Sequence, residues 1–64
     1  MILGKIKKWD YLNGWGFIED EDGNDYFFNI SNVRQGTKIT EGMHVKFESF
    51  PGQRGDEAEK ISPV

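Results

Sequence analysis

Apolar and polar residues alternate over short runs along this chain, and turn-forming residues bound the runs. That period-two pattern, with glycines spread throughout, excludes amphipathic helices and predicts strands at Lys5–Asp10, Trp15–Asp20, Asp25–Asn29, Met43–Phe50 and Glu57–Ile61. Turns are expected at Asn13-Gly14, Asp22-Gly23, Gly36, Gly42 and Pro51-Gly52. With strands so short, an open sheet would leave its edges unprotected. A small closed or nearly closed antiparallel barrel removes them, so the expected fold class is all-β, a five-stranded antiparallel β-barrel. Gly14 and Gly16 are expected to let a strand bend sharply.

The hairpin from Trp15 to Asn29 contains most of the rings. Successive strand residues point to opposite faces, so Tyr26, Phe28 and Ile30 share one face and Asp25, Phe27 and Asn29 the other. The apolar trio faces the core. A two-residue Asp22-Gly23 turn would set Phe17 opposite Phe28. A three-residue loop, Glu21-Asp22-Gly23 with Gly23 left-handed in a bulge, sets Phe17 opposite Phe27 and Ile18 opposite Tyr26. The second register makes both faces consistent. It sends Ile18, Tyr26, Phe28 and Ile30 inward, and leaves Trp15, Phe17 and Phe27 outside with Glu19, Asp25 and Asn29. Three large rings on an outer face mark a binding surface. On a small barrel such a row suits unpaired nucleobases, because stacking is worth about 1–3 kcal/mol per base and needs no particular sequence.

Size and charge narrow the chemistry. At 64 residues the chain is a single domain, 1–64, too small for a large cleft. Without cysteine it has no disulfide, thiolate-metal site or thiol nucleophile. Neither a signal peptide nor a long apolar run is present, which predicts a soluble cytoplasmic protein with no membrane partner. A net charge of −3 argues against a partner held mainly by phosphate neutralisation. His44, alone of its kind, reads as a solvent-facing strand residue. The acidic run Glu19-Asp20-Glu21-Asp22 lacks the spacing of a calcium loop and reads as a polar hairpin tip. No metal, cofactor or enzymatic activity is expected, since no general acid sits in an apolar setting and no nucleophile has a supporting loop.

Four ordered segments resemble the cold-shock domain. Gly14-Trp15-Gly16-Phe17-Ile18 is similar to that family's K-G-F-G-F-I, and Asp25-Tyr26-Phe27-Phe28-Asn29-Ile30-Ser31 to its D-V-F-V-H-x-S. Upstream, Gly4-Lys5-Ile6-Lys7-Lys8-Trp9-Asp10 matches G-K-V-K-W-F-N, and Glu41-Gly42-Met43-His44-Val45-Lys46-Phe47 matches E-G-Q-x-V-x-F downstream. The resemblance implies an oligonucleotide-binding fold, a monomer, and a low-specificity partner of single-stranded RNA or DNA that acts as an RNA chaperone. It places Trp15, Phe17 and Phe27 at stacking positions, Lys7 beside the bound strand, and Asp25 where it accepts hydrogen bonds from base edges.

Departures from the family pattern are as informative. In the ungapped alignment the family tryptophan falls on Lys8 and the following phenylalanine on Trp9. Parity sets Trp9 on the outer side with Lys5 and Lys7 unless a bulge intervenes, which keeps it a candidate platform. Asn29 replaces a histidine, and Ile30 the aromatic next to it, so at these two nucleic-acid-binding positions a ring is exchanged for an amide that can only hydrogen-bond, to a base edge. The loop from Val33 to Glu41 is two residues short of the usual bacterial form and lacks its phenylalanine. Arg54 stands at a basic position, but Asp56 and Glu57 follow it and bring carboxylates near the strand path. These changes should weaken nucleic-acid binding. The alternative is a protein-interaction barrel whose aromatic patch serves a protein partner.

Overall fold

The computed structural model describes all of residues 1–64 and contains five strands: β1 (Ile2–Asp10), β2 (Trp15–Asp20), β3 (Asp25–Asn29), β4 (His44–Gly52) and β5 (Gly55–Pro63). They form a closed barrel in the order β1-β2-β3-β5-β4. One short 3-10 turn, Ile30–Asn32, follows β3. No helix is long and apolar enough to cross a membrane.

The five expected strands form, and their arrangement differs from the expectation in two ways. First, the barrel is mixed rather than purely antiparallel: β3 and β5 meet in parallel through Phe27 and Glu57, and the Val33–Ile61 bridge beyond them is parallel too. Those two strands are not sequence neighbours, so no hairpin dictates their direction. Second, β1, β4 and β5 are longer than predicted. Pro51 lies within β4 opposite Asp56, and the turn falls on Gln53–Arg54, closed by the Gly52–Gly55 pair. Proline is tolerated where its missing N–H is not required for the ladder.

The β2–β3 register is the predicted one, with Phe17 opposite Phe27 and Ile18 opposite Tyr26. Its tip is the predicted three-residue loop. The Asp20 N–H donates to the Asn24 carbonyl at 2.9 Å, the Gly23 N–H to the Asp20 carbonyl at 3.1 Å, and Gly23 takes φ 86°.

β1 contains a bulge between Ile6 and Lys8: Ile6 faces Ile18, yet Lys8 faces Phe17 and Trp9 faces Gly16. The extra residue, Lys7, shifts parity by one. Trp9 therefore turns toward the interior, and the outer position predicted for its ring is corrected. It stacks on the buried Phe28 with centroids 5.5 Å apart and planes 5° apart. Gly16 lies between them in the same register row, Trp9–Gly16–Phe28. A Cβ on Gly16 would come within 2.8 Å of the Phe28 ring, so the missing side chain is what lets the two rings meet. A close approach rather than a sharp bend explains this glycine.

β5 has the same kind of irregularity. Its pairing with β4 shifts between Lys46 and Glu48, and Lys60 adopts φ 53°. Ala58 and Ile61, three residues apart, are thereby both fully buried.

The core is one cluster of Ile6, Ile18, Tyr26, Phe28, Ile39, Val45, Phe47, Ala58 and Ile61. Ile30 is not in it, contrary to the parity expectation. β3 ends at Asn29, whose side-chain Oδ1 accepts from the Ser31 N–H at 2.9 Å and starts the 3-10 turn, leaving Ile30 at 44% exposure.

Candidate functional site

The outer face of β1, β2 and β3 is built in register rows. Nearest the hairpin tip runs a charged row, Lys5–Glu19–Asp25, with the bulged Lys7 beside it. The next is Lys8–Phe17–Phe27, and the last is Asp10–Trp15–Asn29. Residues opposed in this way share a face and touch.

The three rings form a single cluster. Trp15 lies nearly parallel to Phe27, with centroids 6.1 Å apart and planes at 24°. Phe17 meets Trp15 edge-on at 5.9 Å and Phe27 at 5.8 Å. Such geometry suits the aromatic quadrupole, and it leaves each ring half-buried because each shields the others. Two cations border the cluster. Lys8 Nζ lies 5.4 Å from the Trp15 ring centroid, and Arg54 Cζ lies 4.6 Å from that of Phe27. Arg54 reaches Phe27 from the β4–β5 turn, on the flank opposite Lys8.

The remaining expected site residues have definite places. Lys7 Nζ is held 3.2 Å from Asp25 Oδ2 and 3.8 Å from Glu19 Oε2, so the lysine and Asp25 occupy each other. In Asn29, Oδ1 is used by the 3-10 turn, which leaves the NH2 group as its uncommitted donor. Ile30 is exposed just beyond Asn29, and its N–H donates to the Gly14 carbonyl at 2.8 Å. Trp9 stands apart from the surface rings. Its backbone N–H donates to Glu41 Oε2 at 3.0 Å, while its ring packs on Phe28.

Two exposed side chains escaped the sequence reading: Tyr11 and Leu12, 81% and 89% exposed, at the β1–β2 turn. No alternation pattern singles out a turn residue. The turn that carries them is fixed, because Asp10 accepts the Asn13 N–H at 3.1 Å and the Asn13 side-chain amide at 2.9 Å. Those bonds, the side-chain one first, hold the Asp10 carboxyl below its ordinary value.

Asp20 does the same at the β2–β3 tip. Its carboxylate accepts the Asp22 and Asn24 N–H groups, each at 2.9 Å, the Asn24 amide at 3.2 Å and the Tyr26 hydroxyl at 2.8 Å. The Asn24 N–H leads the causes that lower the Asp20 pKa, and the bond donated to Asp20 leads those that raise the Tyr26 pKa. The acidic run thus contains a structural cap.

A groove lined by Leu3, Lys5, Glu19, His44 and Val64, among others, contains none of the three rings. The candidate site is a face with flanking cations, a shape that fits an extended ligand better than a compact one.

Comparison with known proteins agrees with the geometry. A family model described as the 'Cold-shock' DNA-binding domain matches residues 2–64. The chain is 42% identical, over its whole length and that of the relative, to the cold shock-like protein CspLB of Listeria monocytogenes. It is 40% identical to the cold shock-like protein CspC of Bacillus cereus over 94% of this chain and 95% of that one. Against the cold shock protein CspB of Bacillus caldolyticus the identity is 38%, covering 95% of this chain and 96% of the relative. A match that takes in all five strands and every ring of the outer face leaves one assignment: the chain belongs to the cold-shock domain family.

Proposed function

We infer that this protein binds single-stranded RNA or DNA with little sequence preference, by stacking bases on Trp15, Phe17 and Phe27, and that it acts as an RNA chaperone. The carrying observation is the cluster of three mutually packed rings on one outer face, bordered by Lys8 and Arg54. Every base has a π-face, so stacking is indifferent to sequence and competes with base pairing in structured strands. The match to a model described as a DNA-binding domain supports the same reading. Nothing in this mechanism requires a bond to be made or broken, and the protein is read as a binding module rather than an enzyme.

Calorimetric titration with oligo-dT and oligo-U at low salt tests the proposal. Wild type should bind both. Trp15→Ala and Phe27→Ala should each lose about 1–3 kcal/mol, because each removes a stacking surface. If wild type binds neither oligomer, the aromatic face serves a protein partner instead.

A further inference from the structure

The faces on which bases would stack are already occupied. Lys8 Nζ stands 5.4 Å from the Trp15 centroid and the Arg54 guanidinium 4.6 Å from that of Phe27. Both cations belong to exposed residues and both rings are half-buried, so each charge meets its ring at the protein surface. They arrive from opposite flanks, Lys8 from the β1 bulge and Arg54 from the β4–β5 turn.

Neither cation is in an ion pair. The two ion pairs in the molecule both belong to Lys7. Glu57 sits three residues from Arg54, yet it accepts the Arg54 backbone N–H at 3.4 Å rather than the guanidinium. Lys8 and Arg54 are thus held over the rings by the π-faces and remain available to an incoming anion.

We propose that Lys8 and Arg54 act as a selectivity gate on the aromatic face: each covers its ring in the free protein and is displaced at low cost only by a base that arrives with a phosphate. This rests on the nucleic-acid reading above. A neutral aromatic or apolar group that reaches Trp15 or Phe27 displaces a cation and offers it nothing in return. A nucleotide displaces the same cation and supplies a phosphate oxygen for it, so the lost cation–π contact is replaced by a charge-assisted one. Charge at these two positions therefore favours phosphodiester strands and disfavours uncharged ligands with identical bases. Lys7 cannot share the role, because Asp25 and Glu19 already hold its ammonium group.

The test compares two thymine oligomers of equal length, one with a normal phosphodiester backbone and one with an uncharged methylphosphonate backbone, against wild type, Lys8→Gln and Arg54→Gln. Both substituted residues are exposed, and circular dichroism checks that the variants are folded. Each variant should bind the phosphodiester strand about two- to fivefold more weakly and the methylphosphonate strand tighter by a similar factor, the range expected for an exposed cation–π contact. The crossed effect is diagnostic. Variants that weaken both strands alike, or leave the uncharged strand unaffected, overturn the gate while the stacking face stands. If wild type binds neither strand, the stacking face falls and the gate with it.

Discussion

Gly16 makes the narrowest demand on residue identity in the barrel. It is buried, it sits between Trp9 and Phe28 in one register row, and the rings it separates are stacked at 5.5 Å. Any Cβ there meets Phe28 at 2.8 Å on one side and the Lys8 carbonyl on the other. Neither can yield without moving the bulge or the core. Gly16→Ala should therefore destabilise the protein by about 1–3 kcal/mol, the usual cost of overfilling a packed site, read as a lowered midpoint in urea unfolding. Phe17→Ala, one residue away on the outer face, should cost less in stability, since its ring is half-buried and contacts other surface rings rather than the core. An equal loss for the two variants would contradict the assignment of faces. Lys60 illustrates a different demand: its φ of 53° strains a lysine, and the bulge that imposes it buries Ile61.

Among the elements, the β2–β3 hairpin was the most legible in the sequence, and the reason is chemical. Glycine at the third loop position admits the left-handed turn, and only that loop length sends Glu19 and Asp25 outward along with Phe17. The bulges were less legible because period-two reading assumes an unbroken ladder. Yet both leave the same trace: two consecutive polar residues between inward-facing apolar ones, Lys7-Lys8 between Ile6 and Trp9, and Glu59-Lys60 between Ala58 and Ile61. Where alternation stumbles by one residue inside a strand, a bulge restores it. Ile30 was misplaced for a related reason: Asn29 caps the 3-10 turn with its own side chain, and an Asn inside an alternating run does not announce that choice. The hairpin also has a pH signature. The folded Asp20 carboxyl is lowered from 3.8 by the N–H and hydroxyl donors around it, so its stabilising effect is present above 3.8 and is lost as pH falls through the folded value. Tyr26 has the opposite sign: its pKa is raised from 10.0, so its effect is present below 10.0 and is lost as pH rises through the folded value. Asp20→Asn should accordingly lower Tm at neutral pH, with the gap to wild type closing in thermal melts below 3.8. A gap that persists unchanged in acid would mean that the carboxylate contributes nothing through its charge.

At the scale of the whole molecule, charge and binding face have to be considered together. The chain carries 8 Lys and Arg against 11 Asp and Glu, for a net −3, so the protein as a whole repels a polyanion. Of the cations on the outer face, Lys5 lies in the charged row nearest the hairpin tip, Lys7 is bound to Asp25 and Glu19, and Lys8 and Arg54 stand beside the rings. A strand crossing that face thus meets few free charges, and each neutralised phosphate of a single strand contributes about −0.7 to the slope of log affinity against log salt. The expected slope is roughly −1 to −3, shallow for a nucleic-acid binder, with stacking supplying most of the remaining affinity. Titrations of oligo-dT over a series of salt concentrations measure it. Asp25→Asn adds an internal control: with one carboxylate neutralised, Lys7 is held by Glu19 alone at 3.8 Å and becomes available to phosphate, so the slope should steepen by about one contact. A wild-type slope steeper than about −5 would require more phosphate contacts than the face has free cations to make, and would transfer the binding energy from the rings to the backbone of the strand.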